Sequence, residues 1–249
     1  MKSRKHAIVL GLLAVTAVLL LGAQGARRHK PREVPFSKTR IKIEFKSSAD
    51  DIGVQVLLDG EPWERVSGFG PNGRKILDVQ GRRSLATQGF TELFFESSEP
   101  SLADVPLEEF LRRFPEGKYE FEGRTVAGDE IEGIAMLTHT IPAGPVILSP
   151  VGTEDEPPIV DPDDLVIEWE PVVETFDGSN DIDIIGYQVI VEQVAPLRVF
   201  SIDLPAGTTR VQVPPEFFLQ RDTRHIFEVL AIEAGGNQTI TEGAFVTEG

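Results

Sequence analysis

The sequence predicts an all-β protein of two tandem antiparallel β-sandwiches, with one short helix inserted in the first. Three observations predict it. Short apolar stretches alternate with polar residues at period two, turn pairs separate those stretches, and a single segment carries apolar residues at helical spacing. With 249 residues, 41% hydrophobic and 8% aromatic content, the chain is large enough for one or two packed domains and too apolar for wholesale disorder.

Residues 2–6, KSRKH, are basic; residues 7–22, AIVLGLLAVTAVLLLG, carry no charge; Ala23 and Gly25 follow at small-residue spacing. A basic start, an apolar stretch too short for an ordinary bilayer span and a small-residue cleavage site define a secretory signal over 1–25. The alternative is an uncleaved anchor, which would give the chain its sole membrane contact. Residues 26–40 contain RRHKPREVPFSKTR, without periodicity, and read as a flexible basic leader.

The first unit is expected over 41–141. IKIEF (41–45) places Ile41, Ile43 and Phe45 on one face. VQVLL (54–58) is the next strand, closed by the turn pair Asp59-Gly60. Pro71-Asn72-Gly73 is another turn, and RKILDVQG (74–81) and TELFFES (91–97) are strands. Over 101–114, Leu107, Phe110, Leu111 and Phe114 recur at helical intervals, and Pro115-Glu116-Gly117 stops the helix. KYEFEGRTV and DEIEGIAMLTH form a hairpin through Ala127-Gly128-Asp129.

The second unit is expected over 142–249. PAGPVILSP holds a short strand, and VGTEDEPPIVDPDD (151–164), rich in proline and acid, is an exposed loop. DLVIEWEPV aligns Leu165, Ile167 and Trp169; GYQVIVEQV aligns Tyr187, Val189 and Val191. VFSIDLP, TRVQVP, HIFEVLAIEA and GAFVTEG complete the strands.

Two stretches of this unit carry a family resemblance. DLVIEWEPV resembles strand B of a fibronectin type III domain, with Trp169 as the core tryptophan between its sheets. LQRDTRHIFEVLAIEAGGNQT (219–239) resembles the E–F corner and strand F, with Leu219, Thr223, Phe227, Val229 and Ala231 in register; GYQVIVEQ is similar to strand C. His225 stands where such sandwiches carry a corner tyrosine, and an imidazole still donates from one ring nitrogen. The resemblance implies an immunoglobulin-like fold for this half, and the whole chain resembles secreted bacterial proteins that carry the module. It implies no activity.

Charge and composition exclude several chemistries. The chain carries 40 acids against 24 bases and no cysteine, so disulfides, thiolate metal sites and a cysteine nucleophile are excluded. Beyond residue 40 there are 39 acids and 15 bases, a net of −24, which repels nucleic acid. Of four histidines, His6 and His29 precede the first unit, leaving His139 and His225. There is no G-x-S-x-G, phosphate loop, dinucleotide fingerprint or H-E-x-x-H. Glu108-Glu109, Asp163-Asp164 and Glu154-Asp155-Glu156 lie in charge-rich runs where solvation explains them. The chain therefore reads as a non-enzyme without a required cofactor.

One ligand set stands apart. Asp177, Ser179, Asp181 and Asp183 place oxygens at alternate positions, as hard cations require, and form a candidate calcium site. Ile182 replaces the glycine of an EF-hand loop and Gln188 its final glutamate, so the motif is incomplete. Asn237-Gln238-Thr239 is a glycosylation sequon. The expected function is a secreted or periplasmic, non-catalytic binding or scaffold protein that presents loops to a protein or a surface polysaccharide. A calcium-dependent adhesion module and an accessory module of a secreted hydrolase are the alternatives.

Overall fold

The computed structural model describes residues 30–152 and 156–249, so the expected signal lies outside the described residues. The first half contains β1 (Glu33–Pro35), β2 (Lys38–Lys46), β3 (Asp51–Phe69), β4 (Lys75–Gln80), α1 (Ser84–Gln88), β5 (Phe90–Glu96), α2 (Leu107–Arg113), β6 (Gly117–Thr125) and β7 (Glu130–Leu137). The second contains β8 (Ile147–Ser149), β9 (Ile159–Val160), β10 (Val166–Trp169), β11 (Ile184–Gln193), β12 (Arg198–Pro205), β13 (Arg210–Gln212), a 3₁₀ turn (Pro215–Phe217), β14 (Arg224–Glu233) and β15 (Gln238–Thr247).

β3 organises the first half. Its first part pairs with β2 on one side and β5 on the other, and its second part pairs with β6 and β4. Register shifts between Asp59 and Trp63 and between Trp63 and Arg65 mark where the strand bends. The sheet thereby folds over itself around one core, in which Ile43, Val54 and Val56 meet Val66, Phe121 and Leu137. Trp63 sits at the bend, fully buried, with its ring 4.8 Å from that of Phe90.

Several expectations for this half are corrected. Asp59-Gly60 is not a turn, because β3 runs through it. Glycine is needed there for close approach: a Cβ on Gly60 would lie 2.9 Å from both Ile131 Cδ1 and Phe36 Cδ1. Part of the expected flexible leader, 26–40, is ordered: β1 pairs in parallel with β7, β2 begins at Lys38, and Phe36 is buried in the core. Arg32 anchors this entry, its backbone N–H and guanidinium donating to the Asp129 carboxylate at 2.9 and 2.7 Å. Two short helices occur rather than one. α1 buries no side chain, so no apolar period announces it. α2 begins at Leu107 behind Pro106, because residues 101–105 turn back to β3, with Ser101 bridging Asp51.

The second half is a two-sheet sandwich. β13-β10-β8 form one sheet, and β15-β14-β11-β12 face it. Alternation fills the space between with Leu165, Ile167 and Trp169 from one side and Tyr187, Val189, Val191, Phe227 and Val229 from the other. The Trp169 and Tyr187 rings lie 5.3 Å apart, and the buried Tyr187 hydroxyl accepts the Val172 N–H at 2.9 Å. Leu219 does not occupy its expected place, being 70% exposed on the approach to the corner. The 151–164 loop is interrupted by β9, which pairs with the end of β15.

His225 fills the corner position. Its Nδ1 donates to the Thr223 carbonyl at 2.9 Å, its ring stacks on Phe245 at 5.0 Å, and among the described residues its buried Nε2 has no hydrogen-bond partner. Burial holds its pKa below the ordinary 6.5, so the folded chain resists the protonation that the unfolded chain accepts. Its contribution is fully present above pH 6.5 and is lost as pH falls through the lowered value. His225→Phe is therefore expected to raise the melting temperature at pH 5 relative to pH 7, compared with the same difference in the parent chain; an unchanged difference in the variant would remove His225 as a contributor.

Candidate functional site at the junction of the two cores

The two cores share one sheet. β2 and β15 pair in parallel through Glu44 with Gln238, Thr239 with Phe45 and Ile240 with Lys46, so hydrogen bonding runs unbroken from β1 to β12. Asn237, 1% exposed, bolts the junction. Its Oδ1 accepts the Ile43 N–H at 2.8 Å, and its Nδ2 donates to the carbonyls of Thr138 and Thr140 at 3.0 and 2.9 Å. The Asn237 N–H donates to Glu233 Oε1 at 2.9 Å. Thr239 adds a hydroxyl donated to the Pro142 carbonyl at 2.6 Å. The sequon asparagine is thus consumed by the fold, with its amide enclosed between the two halves.

Beside this bolt lies a row of charged side chains on the polar face of β2. Lys42 Nζ donates to Gln238 Oε1 at 2.5 Å, and Gln238 Nε2 donates to the Glu44 carboxylate. Gln55 Nε2 donates to Glu96 Oε1 at 2.7 Å, and Lys46 pairs with Glu242 at 2.7 Å. Oxygens of Glu44, Glu96 and Glu99 lie within 4.8 Å of one another. Burial pushes the Glu44 carboxyl up to about 8, with Glu96 and Glu99 adding to the effect and Lys42 opposing it. Burial and the neighbouring Glu96 and Asp51 push Glu99 up to about 7. Burial also holds Lys42 below and Glu228 above their ordinary values.

The arrangement is chemically a proton store. Two carboxyl groups in hydrogen-bond contact, Glu44 and Glu96, need a proton on one of them, and the buried member keeps it near neutral pH. Among the described residues this is the one group of three carboxylates near enough to share a cation, though hard cations want six or more oxygens.

The candidate calcium residues are placed differently. Asp177 Oδ1 accepts the Thr175 hydroxyl at 2.7 Å, the Ser179 hydroxyl at 2.7 Å and the Ser179 N–H at 3.1 Å, and these bonds hold its carboxyl below the usual range. Asp177 and Ser179 therefore close a small turn on themselves. Asp181 bridges Glu174 across that turn, and the Asp183 carbonyl accepts the Ala234 N–H. The carboxylates of Asp177, Asp181 and Asp183 are not gathered within 4.8 Å of one another. His139 donates from Nε2 to the Phe114 carbonyl at 2.8 Å, Glu109 pairs with Arg112 and Arg113, and Asp163 pairs with Arg221. The junction residues escaped the sequence reading because IKIEF alternates like any strand with one wet face; only the arrival of β15 buries Glu44.

These features define a two-core, all-β protein whose second half has the strand arrangement of a fibronectin type III sandwich. No protein-family model and no curated protein matches the chain. Among solved structures, it is similar to the chicken CNTN1 FN1-FN3 domains at 11% identity and a TM-score of 0.34, covering 88% of this chain and 69% of that one. It is also similar to a two-domain fibronectin type III segment of chicken tenascin, at 9% identity and a TM-score of 0.29, covering 84% of this chain and 100% of that one. The Clostridium perfringens spore cortex lytic enzyme SleM matches 42% of this chain and 28% of its own, at 15% identity and a TM-score of 0.29. Likeness at these values says nothing of activity or partners. Among the described residues, no helix is long and apolar enough to cross a membrane.

Proposed function

We propose that the chain is a non-catalytic scaffold, exported by its N-terminal signal to the periplasm or the cell exterior, which holds its loops and sheet faces as one rigid two-core body. The observation that carries this reading is the unbroken sheet through the β2–β15 junction, bolted by Asn237. Two sandwiches joined by a free linker would tumble apart. Two sharing a sheet keep the 156–164 and 176–185 loops in a set relation to the first core, as display to a protein or a surface polysaccharide requires.

The reading predicts that backbone amides of both halves report one rotational correlation time in NMR relaxation. Separate times for the two halves would overturn it. Capture of a protein or polysaccharide from periplasm or culture supernatant, lost on grafting a glycine-serine loop over 176–183, would then locate the display surface.

A further inference from the structure

Continuing from the charged row, and sharing its Lys42, Gln55 and Gln238, lies a groove of about 640 Å³, between the outer face of β2, β3 and β5, the end of β7, and the β11 and β14 strands of the second core. Phe94, Ile134, Met136 and Ile185 stand in its walls, each more than half exposed, and Leu57 and Ile232 line it with them. Such a gathering of exposed apolar side chains in one concavity is the mark of a binding surface. Its volume falls within the roughly 300–1,000 Å³ of small-molecule sites.

The charges in it are of one sign. Arg40 and Lys42 are the charged residues of the lining, although acids outnumber bases 39 to 15 beyond residue 40. Lys42 is engaged by Gln238. Arg40 is exposed, and among the described residues no hydrogen bond or ion pair reaches its guanidinium. A planar guanidinium beside an apolar wall is built to take a carboxylate in a forked contact.

We propose that this groove binds an aliphatic chain ending in a carboxylate, the chain lying along Phe94, Ile134, Met136 and Ile185 and the carboxylate resting on Arg40. One free cation suits one anionic head. A polyacidic peptide or an anionic membrane would bring several charges against the acid excess around the groove. The site is independent of the scaffold role, so its failure leaves that role standing.

The test is calorimetric titration of the full chain with dodecanoate below its micelle concentration, with dodecyltrimethylammonium as a head-group control of equal chain length. Dodecanoate is expected to bind saturably at one site, and the ammonium at least about tenfold more weakly, the size of one charge-assisted contact. Arg40→Gln is expected to weaken dodecanoate by about the same tenfold factor, and Arg40→Glu to reverse the head-group preference. Met136→Glu is expected to abolish binding of both. Both substituted side chains are exposed, so an unchanged melting temperature would confirm that each variant folds. Equal binding of the two head groups, no saturable dodecanoate binding, or undiminished affinity in Arg40→Gln would overturn the proposal.

Discussion

Asn237→Ala is expected to destabilise the chain by about 3–4 kcal/mol and to uncouple its two cores. The side chain is 1% exposed and uses its acceptor and both donor hydrogens across the junction. Alanine strips the buried Ile43 N–H of its acceptor and takes the donors from the half-buried Thr138 and Thr140 carbonyl contacts. Each buried group stripped of its partner costs about 1–3 kcal/mol, and part of the sum returns if water enters. Urea unfolding read by tryptophan fluorescence checks the magnitude, since Trp63 and Trp169 report one core each. Hydrogen exchange at the Ile43 amide checks the cause. Asn237→Asp is the sharper control: it keeps the acceptor for Ile43 but turns a charged oxygen toward two carbonyls, and should destabilise at least as much at neutral pH. If Asn237→Ala melts within a degree of the parent with the Ile43 amide still protected, the junction is held by something else.

The second large effect is a loss of stability as pH rises. Glu44 and Glu99, held up to about 8 and about 7, stay protonated in the folded chain where the unfolded chain, near the ordinary 4.5, has released its protons. The folded state thus binds more protons than the unfolded state between pH 4.5 and about 8, and stability must fall with pH across that window. The contribution is fully present below pH 4.5 and gone above about 8. Each tenfold displacement of an ionisation is worth about 1.4 kcal/mol, and screening of the half-buried Glu99 reduces its share, so the loss, carried mainly by the buried Glu44, is on the order of 5 kcal/mol.

The groups facing Glu44 set the limits of that window. Glu96 and Glu99 from the β5 side repel its charge, and Lys42 attracts it. Lys42 lies below its ordinary 10.5 and acts in the opposite sense at higher pH, so the effect is to be read below pH 8. Glu44→Gln reproduces the protonated acid, with an oxygen for Gln238 and an N–H for Glu96. It should flatten the melting profile between pH 5 and pH 8 and leave the variant more stable than the parent at pH 8. An unchanged slope would show that the shared proton is held elsewhere. Because His225 loses stability on the acid side, the double variant with His225→Phe should keep only the smaller fall with rising pH that Glu99 contributes up to about 7.

The pattern of alternation made most strands legible. Ile41, Ile43 and Phe45 all enter the first core, and Trp169, Tyr187, Val189 and Val191 enter the second. Turn chemistry was less reliable, because aspartate-glycine signals a reversal only when flanking strands can pair with each other. Around Gly60 the strand finds partners in β2, β5 and β6 and continues. The leader shows the same competition: EVP has no pattern of its own and becomes a strand because β7 offers it an edge. The calcium reading matched residue types to a cation, whereas the structure leaves the Asp177, Asp181 and Asp183 carboxylates apart and turns Asp177 Oδ1 to the neighbouring Thr175 and Ser179.

By itself the sequence determined the all-β class, the two cores and which alternating residues fill them, because burial of one strand face is written locally at period two. Tertiary structure alone decided that the cores share a sheet, that a sequon asparagine becomes its bolt, and that Glu44 and Lys42 leave water. Those outcomes depend on pairing between strands nearly two hundred residues apart, and a polar residue on a strand carries no local sign of the partner that will cover it.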